Sequence, residues 1–447
     1  MAFNLVGHRG VAILLGALGT VSCVEPNPSP VSPAPIRVPP VTYEPAILPL
    51  ATAAASGTPV PAAPVAKGPT YGDELKFLQE HGQVIELESA ERGIVAVSAK
   101  YQGRVMTSAV GRDADSIGYI NRKFIADGKT GTPFDNFGGE DRFWLGPEGG
   151  QYGLYFPKGK TYELSNWQTP SSMQEGEWSV ADKSASSVVF THTIKLTNHA
   201  GTAFELDVKR TVRVLTNQEV LSRLTGVTTL GAVKWVGFET VNQITNKGQK
   251  TWNKNDGLLS VWILAQYNPS DDTNVIVPFV KDAHGEIVND RYFGVVPSDR
   301  LHVYADQGFL TFRCDGKLRS KIGLAPARAK TWLGSYSESA ALLTLVHYDK
   351  PEGATEYVNS MWAEQKKPYS GDVVNSYNDG PLEPGKEALG GFYEVESSSP
   401  AAALAPGKSL THVHRTLHFM GKRADLDPLA KAALGVSLDR VIEATKP

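Results

Sequence analysis

From residue 71 onward the chain is cut into short apolar runs separated by Gly, Asn and Asp, and this texture limits the available folds more than any other feature. Runs at 84–87, 94–98 and 105–109 have the length and β-branched content of strands. Two longer ones, 187–197 and 204–215, flank Asn198-His199-Ala200-Gly201, a hairpin turn signal. The pattern continues at 258–267, 274–280, 301–304, 309–313, 341–348, 391–396 and 409–419. Only two helices are expected, 74–81 and 428–444; in the second, Ala430, Leu434, Leu438 and Val441 fall near one face. So many strands without alternating helices argue against a parallel α/β sheet and imply an all-β protein, a large antiparallel sandwich with few short helices. No internal repeat and no second domain boundary is visible after residue 70, so 71–447 reads as one domain.

Residues 1–23 have the build of an export signal: His8 and Arg9 form a weak basic start, 11–18 is apolar, and Thr20-Val21-Ser22 supplies small residues. The apolar run is too short to span a bilayer as a stable helix. Thr20-Val21-Ser22-Cys23 resembles a bacterial lipobox, with Cys23 as the lipidated residue and Thr20 where Leu is more usual. The stretch 24–70 is rich in Pro and Ala and nearly uncharged, a disordered tether that cannot build a core. Anchor, tether and domain together predict a lipoprotein of the cell envelope facing the periplasm; a plain cleaved signal peptide is the alternative. Val24 lacks the charge associated with inner-membrane retention in some Gram-negative bacteria, which points to the outer membrane. A net charge of −3 gives no reason to expect nucleic acid as a partner, and 41% hydrophobic residues are enough for a sizeable core. Cys23 and Cys314 are the two cysteines and read better as separate thiols than as a disulfide; Cys314 is expected half-buried near a strand end.

Chemistry concentrates in four places. In Phe392-Tyr393-Glu394-Val395-Glu396 the alternation of a strand puts Phe392, Glu394 and Glu396 on one side. If that side opens on a cleft, repulsion and desolvation raise one carboxyl toward the range of a general base; a solvated strand face is the plainer alternative. Residues 137–150 read as a loop mixing glycines with Glu140, Arg142, Trp144 and Glu148. Trp144 could stack on the apolar face of a sugar while the charged groups take its hydroxyls, or it could tuck into the core with Arg142 paired to an acid. Residues 374–381 are polar and turn-rich, with Asn375, Tyr377, Asn378 and Asp379 free either to bind a ligand or to cap their own backbone. On the last strand His412, His414 and His418 share a face, either exposed or holding a divalent metal with Glu394 or Glu396 if the two segments pair as a hairpin. Asp271-Asp272 beside Asn274 suits a turn better than a calcium loop. Gly-rich phosphate loops, a Gly-x-Ser-x-Gly elbow and a Cys-x-x-Cys pair are absent from the sequence.

Gly118-Tyr119-Ile120-Asn121-Arg122, then Gly138-Gly139, then Glu396 followed by Pro400, Leu404 and Pro406-Gly407, resembles the galactose mutarotase (aldose 1-epimerase) superfamily in order and spacing. Most of 71–423 looks more closely like an uncharacterised group of bacterial lipoproteins within it, through 138–150 and 374–381. The resemblance implies a β-supersandwich with a carbohydrate cleft across one sheet. It also implies Glu396 as catalytic base and Asn121, Arg122, Glu140, Arg142, Trp144, Glu148, Glu394, Asn375, Tyr377, Asn378 and Asp379 as the residues around the sugar. The departures are two. Phe137 stands where those enzymes carry a histidine before Gly-Gly, and the Asn-His-x-Tyr-Phe-Asn stretch that supplies their acid has as its nearest region 241–246, without histidine. His192, His302 and His347 fall on predicted strands, and nothing selects an acid among them. The expectation is therefore an exported sugar-binding protein that could act at an anomeric centre by acid/base chemistry, needing no cofactor. A non-catalytic glycan-binding or scaffold lipoprotein and a metal-dependent hydrolase or isomerase on His412 and His414 are the alternatives. The sugar and the oligomeric state are not set by the sequence.

Overall fold

The structure, a computed structural model, describes residues 68–91, 93–382 and 385–445. The expected leader with Cys23, and the tether up to residue 67, lie outside the described residues. Helix α1 (Tyr71–His81) opens the domain, its first turn closed by a reciprocal capping box between Thr70 and Asp73. It precedes β1 (Val84–Glu88), β2 (Ile94–Ser98) and β3 (Arg104–Ala109), a small antiparallel sheet of three. A short helix, α2 (Arg122–Asp127), leads to β4 (Arg142–Gly146). Next come β5 (Ser179–Lys183), β6 (Ser187–Thr197), β7 (Ala203–Val214), α3 (Asn217–Leu221), β8 (Lys234–Asn246) and β9 (Ser260–Tyr267). Then follow β10 (Asn274–Pro278), β11 (Leu301–Tyr304), β12 (Phe309–Arg313), β13 (Ser320–Leu324), β14 (Trp332–Ser337) and β15 (Leu342–Tyr348). The chain ends with β16 (Val374–Asn378), β17 (Tyr393–Ser398), β18 (Ser409–Met420), α4 (Arg423–Leu434) and α5 (Leu438–Ala444).

Two antiparallel sheets make the sandwich. The larger has ten strands in the order β11-β12-β10-β14-β15-β18-β8-β7-β6-β5, and the smaller has five, β13-β16-β17-β9-β4. The all-β, antiparallel architecture with few short helices is thus present in full. The β6–β7 hairpin turns at residues 198–201 as its Asn and Gly imply, with Gly201 N–H bonded to the Asn198 carbonyl. Its alternating burial shows one face packed and one wetter. Strand β9 is buried at every residue because its sheet is covered on both sides. All five residues from Val261 to Ala265 belong to the main buried cluster, and Trp262 and Leu264 also line a cavity on one face of the sheet. Across the sandwich, Tyr393 Oη meets Ser335 Oγ at 2.8 Å.

Several sequence expectations change. Residues 428–444 form two helices, because Gly435 takes the left-handed conformation (φ 73°) that ends α4 and Ser437 then caps α5. The expected loop 137–150 contains β4, and the expected turn-rich stretch 374–381 contains β16, fully buried. Polar residues hold these strands because segments distant in sequence satisfy their side chains: Asn378 donates to the Leu318 carbonyl and accepts from Gly316 N–H in the connection before β13. Strands β17 and β18 do not pair as a hairpin. They lie in different sheets, and their inward side chains meet across the core, Ser397 Oγ standing 2.8 Å from both His412 Nε2 and His414 Nδ1. The histidine face expected to be exposed is therefore sealed: His412, His414 and His418 are all buried. Cys314 is fully buried rather than half-buried, and burial pushes its thiol well above the usual range. Asp271 and Asp272 do lie in a turn, closed by Thr273 N–H on the Ser270 carbonyl, and Asp272 also accepts from Ser337 and Ser339.

Candidate functional site

The outer face of the five-stranded sheet carries the site, and strand register places each side chain in it. Successive pairings align Lys321 on β13 with Tyr377 on β16, Glu394 on β17 and Gln266 on β9. The next row on the same face runs Gly323, Asn375, Glu396, Leu264 and Arg142. Trp262 and Trp144 pair in the row beyond. Because successive residues point to opposite faces, Tyr393, Val395 and Ser397 enter the core while Phe392, Glu394 and Glu396 turn outward.

Above these rows the long connections close over a cavity of about 470 Å³. Trp144, Trp167, Trp262, Trp362, Phe134, Phe293 and Phe392 supply aromatic walls, and Arg142, Arg319, Lys321, Glu148 and Glu394 supply charge. Arg142 donates from Nη2 to Glu394 Oε1 at 3.0 Å, and its guanidinium lies 3.9 Å above the Trp144 ring and 5.2 Å from Phe134. Lys321 Nζ and Trp262 Nε1 both donate to Glu396 Oε2, at 3.0 and 2.7 Å. Trp167 Nε1 donates to Glu148 Oε1 at 2.9 Å. Several buried polar atoms have no partner among the described residues: Arg142 Nε and Nη1, Trp144 Nε1 and Glu396 Oε1. Unsatisfied donors and an acceptor in one aromatic cleft are what a polar ligand would satisfy.

The electrostatics are tuned by burial. Desolvation pushes Glu394 up to about 7 against the pull of Arg142, with Glu396 adding to the rise. Burial likewise raises Glu148, although Lys321 opposes it. Burial alone would lower Lys321, but Glu396, Glu148 and Glu394 outweigh it and hold the ammonium above its usual range. A carboxyl that titrates near neutrality at the wall of a cleft can both take and give a proton.

Of the residues singled out from sequence, Arg142, Trp144, Glu148, Tyr377 and Glu394 line this cavity. Glu396 lies just beneath it, fully buried with Lys321 and Trp262. Asn375 shares its row and donates to Tyr292 Oη and the Ile322 carbonyl. The others are placed elsewhere. Asn121 caps α2, and Arg122 pairs with Glu74 of α1 and stacks on Phe77. Glu140 is buried against Ser108 and His418. Asn378 faces the opposite side of β16, and Asp379 accepts from Gly390 and Gly391 N–H, holding the loop that precedes Phe392. Lys321, Trp262, Trp167 and Arg319 were not marked by any motif. A lysine inside Ser320-Lys321-Ile322-Gly323-Leu324, otherwise a buried strand, was the available signal. Among the described residues no group of three or more His, Cys, Asp or Glu is arranged to hold a metal ion, and no helix is long and apolar enough to cross a membrane.

Residues 69–445 match the sequence profile of the family of unknown function DUF6786. The chain belongs to this family. Solved structures to which this DUF6786 member is similar include a candidate aldose 1-epimerase from Escherichia coli K12, at 12% identity and a TM-score of 0.45 over 75% of this chain and 98% of that one. A galactose mutarotase related enzyme from Lactobacillus acidophilus is similar at 11% identity and a TM-score of 0.42, over 76% of this chain and 98% of that one. No curated protein matches it.

Proposed function

We propose that this chain binds a carbohydrate in the aromatic cleft and exchanges protons with it through Glu394. One observation carries the proposal: a carboxyl held at about 7 stands in a cavity walled largely by tryptophan and phenylalanine rings. A pyranose presents apolar C–H faces and hydroxyl edges, so it suits stacking rings interleaved with Arg142, Lys321 and Glu148. The motif order that resembles galactose mutarotases supports the same class of ligand. Within the Glu394–Glu396 pair, the base role suits Glu394 better, because it lines the cavity while Glu396 anchors Lys321 beneath it. Glu148, raised by burial, is the complementary proton donor.

The test is anomeric exchange of freshly dissolved α-D-galactose and α-D-glucose, followed by proton NMR with wild type, Glu394→Gln and Glu396→Gln. Glu394→Gln is expected to lower the enzymatic rate by about 10²–10⁴-fold. Wild-type turnover in that variant, or loss confined to Glu396→Gln, removes the assignment. A second reading, binding without catalysis, is favoured by one fact: no histidine among the described residues lines the cavity. Saturable sugar binding with no acceleration of exchange by the wild-type protein would establish it.

The same proposal holds that Cys23 is lipidated and carries the domain on the 24–70 tether in the cell envelope, supported by sequence pattern alone. Cys23→Ser should abolish palmitate incorporation and release the protein from the membrane fraction. Unchanged labelling would exclude the anchor.

A further inference from the structure

Three cations line the cavity, and two have carboxylate partners: Arg142 pairs with Glu394 and Lys321 with Glu396. Arg319, two residues before Lys321 in the chain, pairs with no carboxylate among the described residues, and its Nε is buried without a partner. Its guanidinium lies over Phe293, Cζ 3.8 Å from the ring centroid, with Trp362 5.8 Å away. Arginine's planar set of N–H donors can take both oxygens of an oxyanion at once. A half-buried cation against aromatic rings forgoes part of its hydration, and a ligand oxyanion would restore the lost partners. Arg142 adds two further buried donors without acceptors on the same cavity wall. Donors lacking acceptors in a cleft of this size favour a ligand that brings negative charge.

We infer that the cleft selects acidic sugars, with Arg319 binding an oxyanion substituent, either a uronic carboxylate or a sulfate or phosphate ester. The inference rests on the carbohydrate reading of the same cleft. It is tested by calorimetric titration of the full chain with D-galacturonate, D-galactose 6-sulfate and D-galactose as probes, at low and high salt. At least one anionic probe should bind about tenfold or more tighter than D-galactose, the worth of a charge-assisted hydrogen bond. Whichever anion shows the preference identifies carboxylate or ester. The ratio of anionic to neutral affinity should collapse toward unity in Arg319→Gln and be partly retained in Arg319→Lys, which keeps charge without the planar pair. Should Arg319→Gln fail to fold, the wild-type salt series decides: the anionic preference must shrink as salt rises. D-galactose binding as tightly as both anions overturns the selectivity and leaves the sugar reading intact. Binding of none of the three overturns both.

Discussion

Replacing Arg142 by Met isolates the electrostatics of the cleft. Methionine keeps much of the contact with Trp144 and Phe134 but removes the charge 3.0 Å from Glu394. Glu394 titrates in the folded protein at about 7, above the ordinary glutamate value, because burial outweighs Arg142. The folded state therefore binds this proton more tightly than the unfolded state. Its contribution to stability is fully present below the unfolded value and is lost as pH rises through about 7. Without Arg142 the folded value climbs further, by about 1–3 units on the usual scale for an arginine beside a carboxylate. At 1.36 kcal/mol per unit, the variant should have lost about 1–3 kcal/mol more than wild type by pH 9. Near pH 6, where Glu394 is protonated in both, only the lost hydrogen bond and stacking remain, about 1–2 kcal/mol. Denaturant unfolding of both proteins at pH 6 and pH 9 measures the divergence. The protonated-carboxyl band in difference infrared spectra, absent in Glu394→Gln, gives the midpoint directly. A stability gap that is equal at the two pH values, or a midpoint that stays near 7 in Arg142→Met, refutes the assigned coupling.

Two further predictions concern the sandwich beneath the site. Burial first, then neighbouring positive charge, holds His412 and His414 down to about 3, so stability conferred by their neutral rings is present above pH 6.5 and falls as pH drops toward 3. Two protons taken up on unfolding give a slope of roughly 3 kcal/mol per pH unit below about pH 6, and His414→Gln should halve it; an unaltered slope contradicts this. Gly138 has φ 87°, and a Cβ there would stand 2.1 Å from the Tyr119 carbonyl oxygen. Gly138→Ala should lose more than about 2 kcal/mol, read by the same unfolding assay; wild-type stability in the variant rules the clash out.

Much of this architecture is written locally. The Phe392, Glu394, Glu396 stripe follows from the two-residue period of a strand, and the turn at 198–201 follows from its Asn and Gly. Where polar residues fill a strand, as in β16, or charged ones do, as Arg142 in β4, the local pattern looks like a loop, because the neighbours that satisfy those groups are far away in sequence. Gln266, Tyr377 and Lys321 reach Glu394's row only through three strand pairings.

By itself the sequence determined the class of fold, the alternation that pairs Glu394 with Glu396, and the marks of export around Cys23. The tertiary structure alone decided which side of each strand meets the core and which meets the cleft. It turned His412 and His414 inward onto Ser397, took Arg122 to Glu74, brought Lys321 and Trp262 to Glu396, and set Arg319 in the same cleft. The physical reason is the range of the two kinds of information. Side-chain alternation is a property of neighbouring residues, whereas the covering of a sheet face depends on pairings such as Arg142 with Glu394, 252 residues apart.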